Sequence, residues 1–140
     1  MEASGFRRIL IVANRTAATP ALIAEVRRRA AEGPCRFTLL VPRTFWDAST
    51  EESGITLELA SPLLDEAAES HVEGLIGDTD PFAAIATALE DGDYDEIIIS
   101  TLPARVSRWL HLDLPARVQR LGLPVTVITA RRSDRLTPAG

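Results

Sequence analysis

The chain has no lysine: all 15 of its basic residues are arginine. That excludes a P-loop lysine, a Schiff-base lysine and a kinase-type catalytic lysine. It has one cysteine, Cys35, so neither an intrachain disulfide nor a thiolate-rich zinc site can form. It has two histidines, His71 and His111, so a histidine-based metal site would need carboxylates from elsewhere. No apolar run approaches the ~18 residues of a membrane span. The opening MEASGFRR holds no apolar stretch of the kind a secretory or transit segment needs, so the expected location is cytoplasmic. The net charge of -5 and the pI near 5.0 argue against a dedicated nucleic-acid binder. What is present is ordinary for a globular protein. The 140 residues are 46% hydrophobic and 25% charged, which suits one domain with its own core and excludes a disordered chain.

Charge is unevenly spread. From Phe45 to Glu96 there are 15 acidic residues and no basic one, which leaves five acids against all the arginines elsewhere. Such blocks become solvated helix faces in an α/β fold, or they bring an acidic side against an arginine-bearing side, within a subunit or across a dimer.

Apolar runs alternate with helix-period segments. Arg7 to Ala13 reads as a strand buried on both faces, with Ile9, Leu10, Ile11 and Val12 continuous. Thr19 and Pro20 then cap a helix whose apolar positions are Leu22, Ile23, Val26 and Ala30, stopped by Gly33-Pro34. Its Arg27, Arg28 and Arg29 suit a solvated C-terminal turn, with phosphate binding as the other reading. Cys35 to Val41 is a second strand, ended by Pro42, and Cys35 is expected to be a buried, inert thiol. Arg43 to Gly54 reads as a loop whose Phe45 and Trp46 would suit a lid. Ile55 to Ser70 is helical, with Pro62 casting doubt on its first half. His71 to Ile76 is a short, polar edge strand, with His71 on the surface. Asp80-Pro81 caps a third helix carrying Phe82, Ile85, Ala86 and Leu89. Tyr94 to Ser100 is a central strand, and Thr101 to Leu112 a loop with one or two helical turns. Asp113 caps a helix with Pro115 in its first turn, running to Leu121. Val125 to Thr129 is the fifth strand, and 130–140 an arginine-bearing, frayed tail.

This βαβαβαβαβ order predicts a three-layer, doubly wound α/β fold with a five-stranded parallel sheet. With the two most apolar strands, the first and the fourth, side by side, the strand order is 3-2-1-4-5. The reversal between them leaves a crevice at the strands' C-terminal ends. The residues expected to line it are Ala13, Asn14, Arg15, Thr16, Val41, Gly77, Ser100 and Thr101, with Arg105 and Arg108 on the loop above. Those two arginines would either grip an anion by side chain or pair with Asp113 and acids of the central block. Trp109 beside them reads as a loop anchor or a contact for a ring-shaped ligand.

The run RRILIVANRT, the strand CRFTLLV, the segment VEGLIGDTDPFAAIATAL, the strand YDEIIIST and the end ARVSRWLHLDLPARVQRLGLPVTVI together resemble the universal stress protein family. The resemblance covers about Arg7 to Ala130 and implies this fold. It also implies a dimer through the last strand, and nucleotide binding in some members and not in others. ATP-binding members carry an Asp and small residues after the first strand. Here Asn14 stands at the Asp and Arg15 at a usual Gly; Asn still hydrogen-bonds a ribose hydroxyl but brings no charge. After the fourth strand the family has two glycines three apart and a closing Gly-Ser or Gly-Thr. The glycines align with Ser100 and Pro103, and the closing pair with Leu112-Asp113, so every glycine is missing. Glycine matters there because phosphate oxygens must reach main-chain N–H groups past any Cβ. A carboxylate 4 Å from a phosphate at an effective dielectric near 20 opposes it by about 4 kcal/mol per unit charge, and Pro115 removes an N–H donor. The resemblance therefore implies a universal stress-type, non-catalytic regulatory or interaction protein that does not bind ATP through this loop. It would have no required cofactor, no membrane or nucleic-acid partner, and at most a small anionic ligand in the crevice. The alternatives are an ATP-binding member with slow or no hydrolysis, and an enzyme acting on an adenylated or phosphorylated small molecule.

Other constellations are weaker. Ser107, His111 and Asp113 lack the strained G-x-S-x-G turn that a nucleophile needs. Gly74 to Gly77 is too short for a dinucleotide fingerprint. Gly77 is singled out because its loop closes one end of the crevice.

Overall fold

The computed structural model describes residues 6–14, 16–43, 51–103 and 107–130, with the side chains of 51–52 excepted. The chain runs β1 (Arg7–Val12), α1 (Pro20–Glu32), β2 (Cys35–Pro42), α2 (Glu51–Ala68), β3 (Glu73–Gly77), α3 (Pro81–Asp91), β4 (Glu96–Thr101), α4 (Arg108–His111), α5 (Leu114–Gln119) and β5 (Val125–Thr129). All strand pairings are parallel, in the order β3-β2-β1-β4-β5. This is the predicted topology, with β1 and β4 adjacent at the centre.

Burial on both faces explains the continuous apolar strands. Ile9, Ile11, Phe37, Leu39, Val41 and Ile98 point to one face and pack on Leu22 and Val26 of α1 and Ala60 and Leu64 of α2. Leu10, Val12, Leu40, Ile97 and Ile99 point to the other and pack on Ala84 and Ile85 of α3 and Leu114 and Val118 of α5. The side-chain alternation of a strand thus places Ser100, in step with Ile98, on the α1/α2 face, and Thr101 on the α3/α5 face.

Four details depart from the sequence reading. Helix α2 starts at Glu51, inside the segment read as a loop, and it continues through Pro62, which lies on the exposed side. Pro42 does not end β2; it is the strand's last paired residue, opposite Gly77. Thr19 sits at the N-cap of α1 but does not cap it, because its hydroxyl donates to the Thr16 carbonyl instead. Asp113 precedes α5 in the left-handed region (φ 58°, ψ 34°), and its carboxylate accepts no cap hydrogen bond. The lid and tail expectations, on Phe45, Trp46 and 131–140, lie outside the described residues.

Two members of the arginine triplet of α1, Arg28 and Arg29, are used within the fold. Arg28 bridges Glu25 and Glu32 on the surface. Arg29 binds Glu25, donates to Thr126 Oγ1 at 3.1 Å, and pairs with Glu96. Arg7 reaches the other Glu96 oxygen at 2.6 Å. An acid of the central block therefore meets the arginine-bearing side within one subunit, at the N-terminal edge of the sheet. Cys35 is half-buried there, its Sγ 3.5 Å from the Arg29 carbonyl, and burial pushes its thiol pKa up. His71 is exposed, 3.8 Å from Asp65. Among the described residues no group of His, Cys, Asp and Glu is placed to hold a metal ion, and no helix is long and apolar enough to cross a membrane.

Candidate functional site

The topology places the expected crevice where β1 and β4 send their chains to opposite sides of the sheet. Ala13 is fully buried beneath it and its amide donates to the Leu40 carbonyl at 3.2 Å, which extends the β1–β2 ladder by one step. Asn14 follows, half-buried, and its Nδ2 donates to the Pro42 carbonyl at 2.6 Å. This contact requires an amide: a carboxylate has no proton to offer a carbonyl. Asn14 is therefore tied to the end of β2. Asn14→Asp places a negative oxygen against the Pro42 carbonyl and should cost about 1–3 kcal/mol in urea denaturation. An unchanged midpoint would show that the contact contributes nothing.

Across the crevice floor, Thr16 Oγ1 and Ser100 Oγ lie 2.6 Å apart, both residues buried. The hydrogen bond joins the turn after β1 to the end of β4, 84 positions away in sequence. The Ser100 side chain is thus already engaged. Thr101 follows it; its carbonyl accepts the Ala130 amide at 2.8 Å. Its hydroxyl is buried and lacks a hydrogen-bond partner among the described residues. Such an orphan is costly, because a buried hydroxyl forfeits its water without compensation.

Val41 points to the α1/α2 core and is fully buried, so only its main chain faces the crevice rim. Gly77 closes the rim on the β3 side, and its carbonyl accepts the Arg43 amide at 3.1 Å. The structure gives Gly77 a packing reason: a Cβ there would lie 2.6 Å from Ala84 Cβ and 3.0 Å from Leu40 Cδ1. The two acids of that rim are occupied locally. Asp78 Oδ1 accepts the Asp80 amide at 3.0 Å and the Thr79 hydroxyl at 3.3 Å, and the Asp80 amide holds the Asp78 carboxyl below its ordinary 3.8. Asp80 caps α3 by accepting from the Phe82 amide at 3.1 Å.

On the β4 side, Ser107 caps the single turn α4, its Oγ accepting from the Leu110 amide at 3.2 Å, so it is a structural cap. Trp109 packs against the α3/α5 core cluster. The expected ion pair between Arg108 and Asp113 is not formed, and Arg108 has no acidic partner among the described residues. Asp113 is left-handed, and its carboxylate accepts no hydrogen bond from the first turn of α5. Arg15 and Arg105, also expected at the site, lie outside the described residues. The structure therefore joins Thr16 to Ser100, ties Asn14 to the end of β2, and leaves Ala13 and Thr101 at the ends of β1 and β4. The Thr16–Ser100 bond and the Asn14–Pro42 tie were missed from sequence, where no local signal marks contacts so distant along the chain.

No protein-family model and no curated protein matches the sequence. Solved structures do. The backbone is similar to that of a universal stress protein solved in complex with cAMP, with a TM-score of 0.68 at 13% identity over 91% of this chain and 100% of that one. The universal stress protein from Archaeoglobus fulgidus matches with a TM-score of 0.60 at 16% identity, over 87% of this chain and 93% of that one. The complex of the universal stress protein from the same organism with dAMP matches at 0.56 and 16%, over 89% and 98%. On this similarity of backbone over most of both chains, the fold of this chain is that of the universal stress proteins.

Proposed function

We propose that the protein is a non-catalytic, cytoplasmic regulatory or interaction protein of the universal stress type, in which the turn after β4 no longer recognises a triphosphate. One observation carries this reading: the side chain of Ser100, which the resemblance aligns with the first glycine, is hydrogen-bonded to Thr16 at 2.6 Å. Three further features support it. Pro103 replaces the second glycine. Asp113 has a left-handed backbone, φ 58°, and carries a charge that opposes phosphate. Pro115 removes one amide from the first turn of α5, a helix of only six residues. The absence of catalysis is favoured by Asp78 and Asp80, whose carboxylates serve the turn and the α3 cap. We also propose a homodimer through β5, whose outer edge is unpaired among the described residues and exposes Val127.

The cAMP and dAMP complexes of the structural neighbours favour a second reading, in which the crevice takes a nucleotide with a single phosphate. The Asn14 carboxamide would meet the ribose, the Val41 main chain and Gly77 would border the base, and Ser100 and Thr101 would approach the phosphate. Arg15, Arg105 and Arg108 would supply charge by side chain.

Calorimetric titration separates the two. The proposal expects no saturable heat with ATP at millimolar concentration, and micromolar ATP affinity would overturn it. Micromolar affinity for cAMP or AMP with none for ATP would establish the second reading. Asp113→Gly removes the charge without breaking a cap and relaxes the left-handed backbone, so it should raise stability by about 1 kcal/mol. A gain of ATP affinity in this variant would assign the obstacle to the carboxylate; no gain would assign it to Ser100 and Pro103.

A further inference from the structure

Helix α2 is apolar on the side that faces away from the core. Its inward face is set by Ser53, Ala60, Leu64 and Ala67, all buried. About a third of a turn round, Ile55, Leu59 and Leu63 recur every four residues and are 50%, 68% and 42% exposed. Pro62 is exposed beside them. An amphipathic helix that has already met its core requirement does not need a second apolar stripe, and water opposes one. The stripe is bordered by acids. Glu58 and Asp65, seven residues apart, follow one flank, and Glu66 lies within the exposed face. Neither Glu58 nor Glu66 has a cationic partner among the described residues, and the block from Phe45 to Glu96 contains no basic residue at all.

We infer that the outer face of α2 is a docking surface for a basic amphipathic helix of another protein. The partner presents apolar side chains at i, i+4 and i+8 against Ile55, Leu59 and Leu63, with Arg or Lys beside them against Glu58 and Glu66. Charge selects this occupant. Two copies of α2 packed about a two-fold axis would bring the same acids face to face, which disfavours self-association through this stripe. A cationic partner turns the same acids into attraction and is steered to them at low ionic strength. The surface is separate from the crevice, so it operates whether or not the crevice holds a nucleotide.

The test uses the whole protein and a synthetic 18-residue amphipathic peptide, with leucine every fourth residue and lysine on the flanks. Its control has glutamate in place of lysine. Fluorescence anisotropy should show saturable binding of the lysine peptide only, weakening steeply with salt. Leu59→Gln with Leu63→Gln should weaken it at least tenfold, because apolar contact is lost, while the circular dichroism of the fold is kept. Glu58→Gln with Glu66→Gln should flatten the salt dependence. Equal binding of both peptides, or no effect of the leucine substitutions, would overturn the assignment. So would sedimentation showing a dimer that Leu59→Gln with Leu63→Gln dissolves, since the occupant would then be a second copy. Loss of nucleotide binding at the crevice would leave the peptide result unchanged, so the two accounts fail separately.

Discussion

Glu96→Gln is expected to lower the stability of the protein by about 3 kcal/mol, the loss of two charge-assisted hydrogen bonds in a shielded setting. The side chain of Glu96 is 8% exposed and that of Arg29 12%. Both carboxylate oxygens are used, one by Arg7 and one by Arg29. Arg29 also grips Glu25 and Thr126, so the guanidinium joins α1 to β4 and to β5. Removing the charge of Glu96 leaves Arg29 half-compensated in place. Arg7→Ala should cost under 1 kcal/mol, because its side chain is 58% exposed and solvent takes over. Burial by itself would raise the Glu96 carboxyl, but the hydrogen bonds and charges of Arg29 and Arg7 outweigh it and hold the group below its ordinary 4.5. Folding thus favours the ionised form. The contribution is complete above about pH 4.5 and is lost as pH falls through the lower folded-state value. Urea midpoints of the parent and Glu96→Gln should differ widely at pH 7 and converge on acidification. Parallel curves down to pH 2 would show that the network does not act through charge.

Gly77→Ala is expected to cost about 1–3 kcal/mol, roughly 3 °C of melting temperature per kcal/mol for a chain of this size. The added Cβ falls 2.6 Å from Ala84 Cβ, and neither is the end of a flexible side chain. Relief requires α3 to move off β3, which disturbs Leu40 and the α3/α5 core layer. Gly54→Ala makes the contrasting control. Its Cβ meets nothing within 4 Å, and the residue lies within α2, so the same chemical change should stabilise by about 0.5–1 kcal/mol. Thermal melts of the two variants should move in opposite directions. A harmless Gly77→Ala would mean that β3 and α3 are less closely seated than the structure places them.

The sheet was legible because its strands are punctuated. Continuous Ile and Val runs in β1 and β4 announce burial on both faces, and Gly33-Pro34, Asp80-Pro81 and Gly122 to Pro124 mark the element ends. The start of α2 was not legible. Ser53 and Gly54 read as loop residues, yet the helix holds them because Ser53 is buried against its neighbours, a tertiary effect that overrides local preference. Asp113 before Leu114-Pro115 looks like a helix cap in any local pattern; only the backbone shows it left-handed and uncapped. The crevice contacts were the least accessible, since Thr16 meets Ser100 and Asn14 meets Pro42 only after the crossovers close. Topology therefore follows from hydrophobic period and punctuation, whereas the site follows from long-range register that one chain's sequence does not display.

The central claim is that a side chain and a charge now occupy the backbone surface on which a triphosphate would rest. Crystals soaked in ATP test it most directly. The account predicts no phosphoryl oxygens within hydrogen-bonding distance of the main-chain amides between residues 100 and 114, with the Thr16–Ser100 bond intact. Well-ordered β- and γ-phosphates held by those amides would contradict it.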